Sequence, residues 1–231
     1  MKKKLMVVAS LLMIVGLTLT GCTFKEQPRE AALNFKTEYE RLNGKEAREG
    51  LSWRSLNISE TNPYIKTTPE DIANKIKNGE TFYLYVGDDQ CPWCRSGIEK
   101  MIEVAKKNNV KDIYYIDFWN DEHQEILRDL YEVEIGKKNK VTFNQTREAS
   151  DAYKTLIDAV KDFAQDYTIT KDGKTYNVGV KRVFGGDHFY FKDGKCEKYV
   201  SLRSDKLKGS FDELTEEVLK DQEDKFNVFF N

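Results

Sequence analysis

Two cysteines stand between a continuous apolar segment and an amphipathic one, and few folds accommodate this order. The apolar run Thr81–Val86 is typical of a strand that is buried on both faces. The motif Cys-Pro-Trp-Cys follows at residues 91–94, and apolar residues then recur at helical spacing through Ala105. Asp112–Phe118 has the composition of a second buried strand. The short links predict a parallel strand pair joined by a right-handed helical crossover, and therefore an α/β fold.

The position of the cysteines favours redox chemistry. Cys91 directly precedes the predicted helix, where unpaired backbone N–H groups and the positive end of the helix dipole stabilise a thiolate. Pro92 suits the first helical position, because an N–H there would have no partner. We therefore expect Cys91 to attack a partner disulfide as the nucleophile and Cys94 to resolve the mixed disulfide.

Two other roles are compatible with the spacing of these cysteines. A metal site would need further ligands from Cys196, His123 or His188, and none of these shows a paired spacing. A purely structural disulfide would close a small ring, which stabilises a fold little through loop closure. The strand–turn–helix context favours the redox pair, so we expect neither a metal nor another cofactor.

Residues 1–21 have the pattern of an export signal. Lysines at positions 2–4 precede the mostly apolar run Leu5–Leu19, and Gly21 precedes Cys22. This ending resembles the lipobox of bacterial lipoproteins, in which the cysteine carries a diacylglyceryl group and becomes the new N-terminus. The alternative is an ordinary signal followed by a chance cysteine. The resemblance implies a lipid anchor at Cys22 that holds the protein on the outer face of a bacterial cell membrane.

Composition excludes several classes of protein. The 37 basic and 39 acidic residues give a net charge of -2, so the chain lacks the basic surplus of a nucleic-acid-binding protein. An apolar fraction of 39% is too high for a disordered chain. Beyond the leader, no apolar run approaches the length that crosses a bilayer.

The rest of the chain shows alternating helical and extended patterns. Apolar spacing and capping signals predict four further helices: an N-terminal one through Ala32 and Leu42, one from Thr68-Pro69, one at 126–130 and one over 149–167. A strand is predicted at 52–58, a loop at 137–147, and hairpins around 171–173 and 192–195. Ser210 and Glu213 form a capping-box pattern before a last helix, and the aromatic residues Phe226, Phe229 and Phe230 either pack on the domain or contact the membrane.

The cysteine motif after Thr81–Val86, the strand Ile113–Phe118 and the hairpin that contains Phe189–Phe191 resemble a thioredoxin-like fold, in which helices flank a central mixed sheet. The chain is similar in particular to thioredoxin-like lipoproteins of Gram-positive bacteria, some of which are described as bacteriocin-transport accessory proteins. The resemblance covers residues 51–222, with a helical-plus-hairpin insertion at 137–180. Residues 1–21 are then the signal peptide, 22–50 the tether and N-terminal helix, and 223–231 an aromatic C-terminal tail.

Two positions depart from the thioredoxin pattern. Where thioredoxins place a substrate-facing cis-proline, this chain has Gly186, and a cis bond before a non-proline residue costs about 2.5–4 kcal/mol. We therefore expect a trans turn there, and we expect a proline at this position to raise activity. Tyr85 replaces the buried acid that thioredoxins carry before the first cysteine. Asp88 and Asp89 are close in sequence, but acids in a turn before a helix are usually solvated.

The resemblance implies an extracytoplasmic, membrane-anchored thiol–disulfide oxidoreductase. Its partners would be a disulfide or dithiol protein or peptide and a separate membrane redox protein that recycles Cys91 and Cys94. Trp93 and Gly186 are candidates for contact with the substrate. The alternative, favoured by Gly186 and Tyr85, is a redox-weak accessory or binding lipoprotein of the same fold, acting for example in peptide export or immunity.

Overall fold

A five-stranded mixed sheet forms the centre of the protein. The computed structural model describes residues 27–119 and 124–231, and the leader with Cys22 and the segment with His123 lie outside these ranges. The strands lie in the order β11 (Lys195–Ser201), β10 (Asp187–Lys192), β4 (Phe82–Val86), β5 (Ile113–Ile116) and β3 (Tyr64–Lys66). β3, β4 and β5 are parallel, whereas β10 runs antiparallel to both β4 and β11.

Side chains alternate across β4 and supply two separate cores. Leu84 and Val86 pack in one core, and Tyr85 packs in the other. The alternation follows from the pleat of a strand, and the strand is apolar throughout because both of its faces are covered.

Helices cover both faces of the sheet. α1 (Glu30–Glu40), α3 (Pro92–Lys107) and α5 (Glu216–Phe230) contribute to the core that contains Tyr85, whereas α2 (Pro69–Lys77) and α4 (Asp151–Val160) contribute to the other. The protein is therefore an α/β protein with a central mixed sheet flanked by helices, as the sequence predicts. Thr68 also caps α2 as predicted, because its side chain accepts the backbone N–H of Asp71 at 3.1 Å.

In the described ranges, three two-stranded hairpins lie outside the central sheet. They are β1 (Glu46–Arg48) with β2 (Leu51–Ser52), β6 (Leu130–Ile135) with β7 (Val141–Arg147), and β8 (Gln165–Lys171) with β9 (Lys174–Arg182). A 3₁₀ turn, Lys137–Asn139, lies between β6 and β7. The hairpins predicted around 171–173 and 192–195 are both present as β8–β9 and β10–β11.

The segment between β5 and β10 differs from the sequence prediction. No helix forms at 126–130, where Leu127 is buried but Ile126 is 51% exposed, and the chain enters β6 instead. Residues 141–147 form a strand rather than a loop, because Val141 and Phe143 alternate with polar residues at the period of a strand. The described residues between β5 and β10 therefore contain two hairpins and a helix, rather than the one hairpin and helix predicted at 137–180.

Two boundary predictions are also wrong. The strand predicted at 52–58 ends at Ser52, and the next strand is β3 at Tyr64–Lys66. The last helix is capped by Thr215, whose side chain accepts the N–H of Val218 at 3.3 Å, and not by the Ser210 pattern.

The aromatic C-terminal residues belong to this last helix. α5 continues through Phe230 and crosses residue 222, the predicted domain end. Phe226 is fully buried and Phe229 is 3% exposed, so these side chains pack on the domain. None of the helices in the described residues is both long and apolar enough to cross a bilayer.

Candidate functional site

The two cysteines lie at the N-terminus of α3 and form a disulfide. Cys91 is the N-cap residue of α3, and its Sγ accepts the backbone N–H of Cys94 at 3.1 Å. Pro92 occupies the first helical turn, as predicted. Cys91 is half-buried, whereas Cys94 is fully buried in the core. Only the first sulfur is therefore available to a partner.

Trp93 lies between the cysteines and is half-buried. The guanidinium of Arg203 lies 4.6 Å from the centre of the Trp93 ring, in a cation–π arrangement. One face of this indole is thus covered by a side chain from the segment that follows β11. A partner would meet Trp93 together with Arg203.

The loop before β10 covers the disulfide, and Gly185 is the residue that contacts it. A Cβ atom placed on Gly185 would lie 3.0 Å from Cys91 Sγ and 3.2 Å from Cys94 Sγ. A Cβ on the predicted substrate-facing residue, Gly186, would instead meet Leu202 and Ser201. The residue that faces the sulfurs is therefore Gly185 rather than Gly186.

Gly186 has a backbone role. Its φ of +103° lies in a region that residues with a side chain rarely adopt, and its N–H donates to the carbonyl of Val86 at 2.9 Å. Proline requires a φ near -65° and has no N–H, so we now expect Gly186→Pro to disrupt this turn rather than to raise activity. The described residues contain no cis peptide bond, which agrees with the predicted trans turn.

The turn acids Asp88 and Asp89 are buried, contrary to the expectation that they are solvated. Asp89 is 3% exposed, and both of its carboxylate oxygens accept hydrogen bonds from Arg41. Asp88 is 9% exposed, and its Oδ1 accepts the backbone N–H of Gln90 at 2.8 Å. Burial, followed by the nearby charge of Asp117, raises the pKa of Asp88 to about 7.

Asp117 completes this acidic group from the neighbouring strand. Burial raises the pKa of Asp117 to about 6. Asp88 follows β4 and Asp117 follows β5, so the carboxyl ends of two parallel strands bring these side chains to one edge of the sheet. The sequence does carry a signal for this acidic group, because each aspartate comes just after one of two neighbouring parallel strands.

Two cavities open beside the disulfide at this edge. The first, of about 440 Å³, is lined by Asp88, Gln90, Cys91 and Trp119. The second, of about 410 Å³, shares Asp88, Gln90 and Trp119 with the first. It is lined further by Asn34, Thr37, Glu38, Arg41, Lys66, Asp89 and Asp117. The two adjacent cavities thus lie between Cys91 and α1, and most of the charged residues that line them are acidic.

Tyr85 occupies the strand position where the resemblance implies an acid. Its hydroxyl lies 2.7 Å from that of Tyr39, and its ring stacks on His188 with ring centres 4.5 Å apart. Burial lowers the pKa of His188 to about 3, so this imidazole is neutral at physiological pH. Its Nδ1 lies 3.3 Å from the carbonyl of Gly186, which can only accept, so Nδ1 carries the proton and Nε2 accepts from Tyr64. The buried tyrosines and His188 therefore form a neutral packed layer behind the disulfide.

Arg95, in the first turn of α3, is buried without a bonded carboxylate. Its guanidinium donates to the carbonyls of Tyr39 at 2.7 Å, Arg54 at 3.0 Å and Asp89 at 3.2 Å. It thereby joins α1 and the segment of Arg54 to the turn that precedes Cys91. Sequence spacing carries no signal for this role, because the acceptors on Tyr39, Asn43 and Arg54 belong to segments that are distant in the sequence.

The third cysteine lies away from the site. Cys196 pairs with Phe191, at the end of β10 opposite to Asp187, and burial raises the pKa of its thiol to about 12. The thiol therefore stays protonated and poorly nucleophilic at physiological pH. Within residues 27–119 and 124–231, no cluster of three or more His, Cys, Asp or Glu side chains could hold a metal ion.

Comparison with known proteins does not assign a family. No protein-family model matches the chain, and no curated protein is significantly similar to it. The functional assignment must therefore come from the residues and their geometry.

Proposed function

We propose that the chain is a thiol–disulfide oxidoreductase with a thioredoxin-like fold, held by lipid on Cys22 at the outer face of a bacterial membrane. The observation that carries the proposal is the asymmetry of the two cysteines. Cys91 is accessible at a helix N-terminus and its sulfur accepts an N–H, whereas Cys94 is fully buried directly behind it. A nucleophile and a resolving thiol need this division of exposure.

The reaction follows from this arrangement. In the reduced protein, the Cys91 thiolate attacks one sulfur of a partner disulfide, and the other partner sulfur leaves as a thiolate that takes a proton. The Cys94 thiolate then attacks Cys91 Sγ and releases the second partner thiol. Two electrons pass to the partner, and the Cys91–Cys94 disulfide is the product. The reverse sequence oxidises a partner dithiol, so a separate membrane redox protein must reset the pair.

Turnover of a disulfide peptide by the full-length chain in detergent, with dithiothreitol as reductant, tests the proposal. We expect Cys91→Ser to abolish exchange and Cys94→Ser to accumulate a mixed disulfide with the peptide. Cys196→Ser is the matched control and should exchange at the wild-type rate. Exchange that survives Cys91→Ser would contradict the proposal. Thiol trapping in cells then decides the direction, since a mostly reduced pair indicates a reductase and a mostly oxidised pair an oxidase.

A binding or accessory lipoprotein is the second candidate, and one contact favours it. The backbone of Gly185 lies against both sulfurs and restricts access to them. For this candidate, wild-type exchange should be as slow as that of Cys91→Ser. The same assay therefore separates the two functions.

A further inference from the structure

An acidic cavity lies beside the accessible sulfur. We give this name to the cavity of about 410 Å³ whose charged lining is Glu38, Asp88, Asp89 and Asp117 with Arg41 and Lys66. It shares Asp88 and Trp119 with the cavity that reaches Cys91. A substrate segment bound at Cys91 would therefore have one side directed at these carboxylates.

Both cations that line the acidic cavity already form ion pairs within it. Arg41 donates to both carboxylate oxygens of Asp89. Lys66 is 52% exposed and lies 3.0 Å from Glu38 and 3.8 Å from Asp117. Neither of these cations pairs with Asp88.

Asp88 is consequently a buried carboxyl that lacks an ion-pair partner among the described residues. Its Oδ1 accepts the N–H of Gln90, and the residue lines both cavities. The charge of Arg128 lowers the pKa of Asp88 somewhat, but the ion pair of Arg128 is with Glu125. A second negative charge, on Asp117, faces the same space. Among the described residues of the lining, four carboxyls stand against two cations, so this part of the cavity is complementary to a positive charge when the carboxyls are ionised.

We propose that the acidic cavity binds the ammonium or guanidinium group of a substrate residue next to the reacting cysteine, and hence that preferred substrates are disulfide peptides or proteins with lysine or arginine at that place. The proposal rests on the proposed exchange function and adds a substrate class to it. Burial raises the pKa of Asp88 to about 7 and that of Asp117 to about 6, and a bound cation would shift both groups toward the ionised form.

The first experiment measures binding and does not require exchange. Three peptides, identical except for Lys, Gln or Glu before a Ser that replaces the reacting Cys, are titrated into the full-length chain by calorimetry. We expect the Lys peptide to bind roughly tenfold tighter than the Glu peptide at low salt, with the ratio falling as salt is added. Equal affinities for the three peptides would overturn the proposal.

Matched variants locate the preference. Glu38→Gln and Asp88→Asn each remove one negative charge from the acidic cavity, whereas Asp224→Asn removes one from the exposed side of α5. We expect the first two to reduce the Lys-over-Glu ratio and the third to retain it. If Asp88→Asn fails to fold in a thermal melt, Glu38→Gln alone tests the preference. A ratio that survives both cavity variants would overturn the proposal.

Exchange assays with the corresponding disulfide peptides separate this inference from the proposed function. If the Gln disulfide peptide is not turned over but the Lys peptide still binds selectively, the oxidoreductase proposal fails and the cation site stands. If all peptides are turned over with equal kcat/KM and bound equally, the oxidoreductase stands and the cation site fails.

Discussion

The backbone of Gly185 lies directly against the sulfur of Cys91, so close that a Cβ on Gly185 would lie 3.0 Å from Cys91 Sγ. The neighbouring Gly186 has a different constraint, a φ of +103° with its N–H bonded to the carbonyl of Val86. Gly185 thus makes the steric contact with the disulfide, whereas Gly186 provides the unusual backbone conformation.

Alanine substitutions should separate these two roles. Gly185→Ala inserts a methyl group against both sulfurs and should slow exchange severalfold. Gly186→Ala should lower the free energy of unfolding by about 1–2 kcal/mol through backbone strain. Peptide exchange and urea unfolding are measured on both variants. Unchanged exchange in Gly185→Ala would contradict the contact that we describe.

The two cysteines should differ in reactivity once reduced. Cys91 is half-buried at a helix N-terminus, and Cys94 is fully buried, so iodoacetamide should modify Cys91 first. Cys196 should react slowly, because burial raises its thiol pKa to about 12. Mass spectrometry of the reduced chain after brief labelling checks the order. Preferential labelling of Cys94 would reverse the roles that we assign.

Asp88 should make stability depend on pH. Its pKa rises from 3.8 to about 7 on folding, so the folded state binds the extra proton and loses stability as pH increases between these values. Asp88→Asn should match the wild type below pH 4 and exceed its free energy of unfolding by up to about 4 kcal/mol above pH 8. Urea unfolding across this range measures the difference. Asp224→Asn, an exposed control, should show no such trend, and a destabilised Asp88→Asn at pH 8 would contradict the expectation.

The last helix should contribute to stability through its buried aromatic face. Phe226 is fully buried, whereas Val228, two residues later, is 75% exposed. Phe226→Ala should therefore lower the free energy of unfolding by about 3–5 kcal/mol, and Val228→Ala by no more than about 0.5 kcal/mol. Chemical denaturation of both variants tests this. Equal effects would mean that α5 does not pack as described.

Cys22 should anchor the protein, given the lipobox-like sequence before it. Cys22→Ser should prevent lipid attachment and either release the protein from membranes or block its processing. Membrane fractionation and the mass of the N-terminal peptide provide the readout. Normal processing with full retention in membranes would rule out this anchor.

Patterns confined to one segment predicted the structure well. The helix capped by Thr68, the buried strand before the cysteines and the two hairpins with Asp-Gly turns all form as expected. Short apolar stretches were ambiguous. Ile126, Leu127 and Leu130 fit a helical spacing, yet only Leu127 points into a core and the chain continues as a strand.

The sequence by itself determined the dithiol, its place between a strand and a helix and the α/β class, because each depends on neighbours within a few turns of the chain. Only the tertiary structure decided that Gly185 contacts the sulfurs and that Asp88 and Asp117 share a cavity. These relationships join residues from different strands and loops, and their burial follows from how α1 and the loop before β10 pack against the end of the sheet. A turn aspartate is solvated or buried according to what covers it, and that cover comes from distant parts of the chain.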